Sequence, residues 1–209
     1  IGLQKPASGQ VLYQGTDIVR ADEDQLNRYR KDIGVLFQSG ALFSSMTLRE
    51  NIALPLQEYT NLNADEIGAI IKMKLAMVNL AGYENHSPAE LSGGMKKRAG
   101  IARAMALDPR VLFFDELSAG LDPVTAVELD DLIIKTNEAL NTTMLIVTHE
   151  LESIYKIAHR VLMLDKDAKG IIAEGKPRDL KEQATDQRVK SFFLRQLPDT
   201  TARQESYVS

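Results

Sequence analysis

Apolar and polar positions along the chain fall into alternating strand-like and helix-like stretches. "GQVLYQG" at residues 9–15 alternates between glycine boundaries, which predicts a strand of an antiparallel piece. "EDQLNRYRKDIG" predicts a short polar helix, and "IGVLFQ" a strand ending at Gln38. From "SGALFSSMTLRENIALPL" onward the texture is helical: Asn63 and Glu66 form a capping pair, and Ile67, Ile70, Ile71, Leu75 and Val78 recur on one helix face. Residues 92–107 predict a further helix, closed by Asp108 and Pro109. Residues 111–114 are wholly apolar and run into two acids, the pattern of a buried parallel strand. Asp122 and Pro123 cap and open a helix reaching about Leu140, and "TTMLIVTH" is a second β-branched, apolar strand. Strand, helix, strand in this order predicts a parallel α/β sheet. The expected organisation is a core in two parts, residues 1–40 and 107–180, interrupted by a helical subdomain at 41–106 and followed by a C-terminal helix and tail at 181–209. The tail beyond Pro198 is expected to be poorly ordered.

Composition narrows the chemistry. With 209 residues, 44% of them hydrophobic, the chain can bury a substantial core. A net charge of −4 offers no bulk basic surface for nucleic acid, so nucleic acid is not an expected partner. The absence of cysteine excludes disulfides and thiolate metal sites, and His86, His149 and His159 have no metal-ligand spacing. No apolar run approaches the roughly 18–20 residues of a membrane span, so membrane contact is expected only through a partner. The sequence starts at Ile1 rather than Met and shows no leader, and the natural start is expected to lie upstream.

One segment imitates a phosphate-binding loop. In "GIIAEGKP" at 170–177, Gly170, Gly175 and Lys176 satisfy all but the last place of G-x-x-x-x-G-K-[ST], where Pro177 stands instead. Such a loop needs backbone N–H groups opening a helix and a hydroxyl for Mg²⁺, and proline supplies neither. The flanking "VLML" and "DKDAKG" predict a β-hairpin instead.

Ligands of open α/β sheets bind beyond the carboxyl ends of the strands, which directs attention to polar residues after apolar runs. Three strands end this way: one in Gln38, one in Asp115 and Glu116, and one in His149. Each alone is weak evidence. "LSGGM" at 91–95 adds a helix start with a hydroxyl, Ser92, and the bare backbone of Gly93 and Gly94, an anion site in combination with the helix dipole. The order Gln, LSGG, strand-Asp-Glu, "AGLD", strand-His is highly specific.

In these motifs the sequence resembles the nucleotide-binding subunit of ABC transporters over nearly its whole length. Gln38 matches the Q-loop, Leu91 to Met95 the signature motif, Val111 to Asp115 the Walker B strand, Glu116 the catalytic glutamate, Ala119 to Asp122 the D-loop and His149 the switch histidine. The resemblance implies a P-loop NTPase (RecA-like) parallel sheet core with an antiparallel β piece and a helical subdomain, its N-terminal part missing together with the Walker A loop. It implies ATP and Mg²⁺ as ligands, with Asp115 and Gln38 at the metal, Glu116 polarising the attacking water and His149 on the γ-phosphate. Ser92, Gly93 and Gly94 would bind ATP held by a second ATPase subunit, a homodimer partner, and Asp122 would couple the two sites. Permease subunits are the implied membrane partners, placing the protein in the cytoplasm on the inner face of the cell membrane. Met95 stands where the family usually has Gln, and Leu117 where a Pro commonly follows the glutamate; modest effects on activity are expected.

Within the family, "SGALFSSMTLRENIALPLQEYTNL", "LSGGMKKRAGIARAMALDP" and "AGLDPVTA" look like the ATPases of the Mla and Mce-associated lipid transporters. The stretch 41–58, with Leu42, Phe43, Met46 and Leu48, would then meet a cytoplasmic helix of the permease or serve as ordinary core. An ABC ATPase of another importer or exporter is the alternative. A DNA-maintenance ATPase with the same signature would need a long coiled coil or zinc module between Gln38 and Leu91, where one short helical insertion stands. A non-hydrolysing adaptor would lack Glu116 and His149. The 209-residue chain by itself is expected to bind ATP poorly and to be inactive.

Overall fold

The computed structural model describes residues 2–38 and 42–196, which divide into two compact units between Thr148 and His149. The expectations on Ala41 and on the tail beyond Pro198 therefore lie outside the described residues.

The first unit opens with a small antiparallel ribbon. The predicted strand at 9–15 is shorter than its pattern suggests: β1 (Leu12–Tyr13) turns immediately into β2 (Thr16–Asp17), because Gln14 and Gly15 both take positive φ, 49° and 81°. Two left-handed residues in a two-residue loop match the twist of a tight hairpin. Helix α1 (Glu23–Lys31) follows, started by a reciprocal capping box between Asp22 and Gln25.

The sheet of this unit is parallel, in the order β3 (Ile33–Leu36), β4 (Val111–Asp115), β5 (Thr143–Val147), with β4 in the centre. Strand β3 ends at Leu36, two residues before the expected Gln38. Between β3 and β4 the chain forms α2 (Leu48–Tyr59), α3 (Ala64–Met77), a short 3-10 turn at Pro88–Glu90 and α4 (Gly93–Ala104). The Asn63–Glu66 capping box forms as its sequence predicts, and Ile67, Ile71, Leu75 and Val78 are buried. Leu36, Leu112 and Phe114 point to one buried face of the sheet. There α4 comes close enough that a Cβ on Gly34 would lie 2.2 Å from the carbonyl oxygen of Ala104. Glycine is what permits that approach. On the other face Leu145 and Val147 of β5 are about half exposed. Helix α5 (Pro123–Leu140) connects β4 to β5 and buries Leu129, Leu132 and Ile133.

The second unit contains α6 (Leu151–Ile157), the antiparallel hairpin β6 (Val161–Asp165) and β7 (Gly170–Gly175), α7 (Pro177–Gln183) and α8 (Gln187–Leu194). Its core is Leu151, Ile154, Leu180, Val189 and Phe193. The imitation phosphate loop is thus a strand paired along β6, with Pro177 opening α7, as the hairpin reading predicts. No helix among the described residues is long and apolar enough to cross a membrane.

Candidate functional site

Two clusters of candidate residues form in the first unit. The first is at the carboxyl ends of β3 and β4. Leu36 pairs in register with Phe114, so Gln38 and Glu116 each stand two residues beyond a matched pair, with Asp115 closing β4 opposite Val147. Gln38 and Asp115 are exposed and Glu116 is half-buried. Glu116 takes a left-handed backbone, φ 49°, which costs an L-residue about 1–2 kcal/mol. Its main chain is held at both ends: its N–H donates to the Val147 carbonyl at 2.9 Å, and its own carbonyl accepts from Ala119 N–H at 3.2 Å. Such strain persists where the surroundings over-determine it. Leu117, buried beneath the turn, anchors its next residue.

Lys97 joins this cluster, and the motif-based reading missed it. Its Nζ donates to the main-chain carbonyl of Gln38 and, at 3.2 Å, to that of Glu116. The side chain is only 7% exposed. Burial lowers its pKa, against the opposing pull of the Asp115 and Glu116 charges. The signal was a cation interrupting an apolar stripe: Gly94, Lys97 and Ile101 share the buried face of α4 at helical spacing.

The second cluster is the corner where α4 and α5 begin. Ser92 caps α4, its hydroxyl accepting from Met95 N–H at 3.3 Å, and Ser92 and Gly93 are exposed. Asp122 caps α5: one carboxylate oxygen accepts from the N–H groups of Val124 and Thr125 at 3.1 and 3.0 Å, the other from the Thr125 hydroxyl at 2.6 Å. The Thr125 bonds hold the Asp122 carboxyl below its ordinary range. Gly94 is buried against Thr125, and Arg98 pairs with Glu128 across the two helices at 2.6 Å. Signature residues and Asp122 are therefore parts of one packed corner.

His149 belongs to the second unit, where its Nε2 lies 3.6 Å from a Glu150 carboxylate oxygen. It lines an open cavity of about 500 Å³ with Leu151, Ser191, Phe192 and Arg195.

Mg²⁺ demands near-octahedral oxygen ligation, keeps several waters, and is typically held by one or two carboxylates plus substrate phosphates. Asp115 and the amide oxygen of Gln38 suit such a minimal set. No group of three or more acids or histidines assembles an all-protein cage among the described residues. The donors fit a metal that arrives with phosphates.

In the helical part, Asn51 is fully buried and organises the loop before α2. Its amide donates to the carbonyls of Phe43, Met46 and Thr47 at 2.9–3.1 Å and its oxygen accepts from Phe43 N–H at 2.8 Å. Of the residues singled out there for a partner helix, Leu48 is fully buried and belongs to the core, whereas Phe43 is half exposed. A groove of about 410 Å³ opens between α2 and α3, lined by Met46, Ala53, Leu54, Gln57 and Ile67.

A parallel sheet presenting Gln38, Asp115 and Glu116 at adjoining strand ends, with a glycine-opened helix start packed on a second capped helix, is the frame of a nucleotide-binding cassette. The chain belongs to the ABC transporter family, whose sequence pattern matches residues 1–119. It is 42% identical over 193 residues to the "Probable ribonucleotide transport ATP-binding protein mkl" of Mycobacterium tuberculosis, covering 92% of this chain and 53% of that protein. The chain thus spans about half the length of these mycobacterial relatives. It is also 42% identical over 192 residues to the "Intermembrane phospholipid transport system ATP-binding protein MlaF" of Haemophilus influenzae, covering 92% of this chain and 72% of that one. Among solved structures, the ATP-binding cassette MJ0796, a dimer in a post-hydrolysis state bound to ADP and Pi, superposes with a TM-score of 0.75 at 31% identity, covering 85% of this chain and 77% of the other.

Proposed function

We propose that the full-length protein hydrolyses ATP as one of two copies seated under a membrane permease, on the cytoplasmic face, and that the cargo is phospholipid or a related lipid. The observation that supports this most is the strand-end cluster: Asp115 closes the central strand and Glu116 follows it, Gln38 follows the neighbouring strand, and Lys97 bonds the carbonyls of both Gln38 and Glu116. In this reading Glu116 orients and polarises the attacking water, and Gln38 senses metal and water. Asp115, with Gln38, holds Mg²⁺, which supplies charge neutralisation on the phosphates. His149 contacts the γ-phosphate as charge redistributes. Ser92, Gly93 and Gly94 close on the ATP held by the second copy, and Asp122, packed on the same corner, couples the two sites. The groove at Met46 and Leu54 receives an apolar helix of the permease. Identity to MlaF and to the mycobacterial protein is equal at 42%; phospholipid is favoured over the ribonucleotide of the latter's name by the motif resemblance to Mla ATPases and by the larger share of MlaF that the chain covers, 72% against 53%.

The test is Glu116→Gln in the full-length protein. ATP turnover is expected to fall by about 100-fold or more while ATP-dependent dimerisation persists. Unchanged hydrolysis refutes the role of Glu116.

A further inference from the structure

Lys97 is an expensive residue to keep where it stands. Dehydrating an ammonium costs several kcal/mol, and a Met or Leu would complete the buried stripe of α4 without that penalty. Its two bonds go to the main-chain carbonyls of Gln38 and Glu116, residues 59 and 19 positions away in the chain. Fixing a carbonyl fixes the peptide plane, and with it the direction in which the adjoining side chain leaves the backbone. This matters most at Glu116, whose left-handed φ of 49° is not a conformation the residue would hold unaided. The same lysine stands three residues past Gly94, on the helix that begins at Ser92.

We propose that Lys97 is a positioning residue for ATP hydrolysis, setting Gln38 and Glu116 through their carbonyls and tying their placement to the seating of the Ser92–Gly94 helix start. Nothing in the family motifs assigned to this chain uses it. The inference rests on the reading of Gln38 and Glu116 given above. When the helix start engages a phosphate of the opposite site, the strain on α4 passes through the Lys97 ammonium to the loops that face the protein's own nucleotide. Displacements of about 1 Å at such a site cost on the order of 100-fold in rate.

The experiment compares full-length wild type, Lys97→Met and Lys97→Gln. Lys97→Met is expected to lower kcat by about 10- to 100-fold with KM for ATP nearly unchanged, because geometry rather than binding is lost. Lys97→Gln, which keeps an N–H donor but one bond closer to the backbone, recovers part of that kcat. Amide hydrogen exchange at residues 116–119 is faster in Lys97→Met than in wild type, a measurement that needs no turnover. A folded Lys97→Met with wild-type kcat, or with unchanged exchange at 116–119, overturns the proposal; so does a Gln variant as slow as the Met variant. If Lys97→Met does not fold, Glu116→Gln decides: ATP-driven dimerisation must slow exchange at 116–119 together with 93–97, and protection confined to 93–97 overturns it. Wild-type protein without ATPase activity refutes the underlying reading instead, and the exchange comparison still decides the link through Lys97.

Discussion

There is no room for a methyl group on Gly94. An added Cβ would lie 2.6 Å from Thr125 Cγ2. Thr125 cannot swing aside freely, because its hydroxyl donates to one Asp122 oxygen and its N–H to the other. Gly94→Ala is therefore expected to destabilise the first unit by about 1–3 kcal/mol, the usual scale of overpacking. Thr125→Ser removes the offending methyl and keeps the hydroxyl, so the double variant should regain most of the loss. Urea unfolding of the two single variants and the double variant checks this; strictly additive losses would show that the clash is not the cause. At Gly93 an added Cβ would meet Leu121 only at 3.5 Å, ordinary contact, so alanine is tolerated better there. The sequence shows Ser-Gly-Gly as a helix start with bare backbone. That the second glycine is also required by packing was not legible, because its neighbour lies 31 residues further on and on another helix.

Elements were legible where local chemistry decides them. Caps at Asn63, Ser92 and Asp122 and the apolar run of β4 follow from neighbours in sequence, and all of them form. Strand ends were less legible: the alternation at 9–15 gives no warning that Gln14 and Gly15 turn the chain back, and β3 stops at Leu36, opposite Phe114, while β4 runs one residue further to Asp115. Periodicity also hides buried cations, since it counts only apolar positions. Lys74 of α3 is fully buried and pairs with Asp108, which is 63% exposed at the turn between α4 and β4. The pair fastens the helical part to the sheet. Its two ends are unequal, because neutralising Asp108 strands an ammonium in the interior, whereas replacing Lys74 with an apolar chain leaves only a solvated carboxylate behind. Asp108→Asn, chosen because Asn tolerates the left-handed φ of 49° at this position, is expected to cost about 2–4 kcal/mol. Lys74→Met should cost markedly less. Thermal unfolding of both variants tests the asymmetry, and equal losses would contradict it.

At the scale of the whole chain, the question is which phosphate contacts the 209 residues contain. Gln38, Asp115 and Glu116 gather at strand ends, and in the proposed function they act on a nucleotide's metal and water, not on the bulk of its phosphate charge. The helix start at Ser92 faces, in the proposed dimer, a nucleotide held by the other copy. His149, in the same reading, touches only the γ-phosphate, and among the described residues the remaining phosphate-loop candidate is the stretch 170–176. There Gly170 and Gly175 are in register with Asp165 and Val161 along a β-ladder, so the backbone is committed to strand pairing and does not curl into a ring of N–H donors. Pro177 then opens α7 without a donor of its own. A cradle requires several convergent N–H groups at a helix start, and this segment offers none in that arrangement. The 209-residue chain is therefore expected to show no saturable Mg-ATP binding in calorimetry below about 100 μM, an affinity of roughly 5 kcal/mol at best. In the full-length protein, Lys176→Ala should leave the KM for ATP unchanged, as befits a surface residue at the end of a hairpin. Tight binding by the 209-residue chain, abolished by Lys176→Ala, would mean that the hairpin opens to receive phosphate after all, and that its pairing with β6 is only one of two states of this segment.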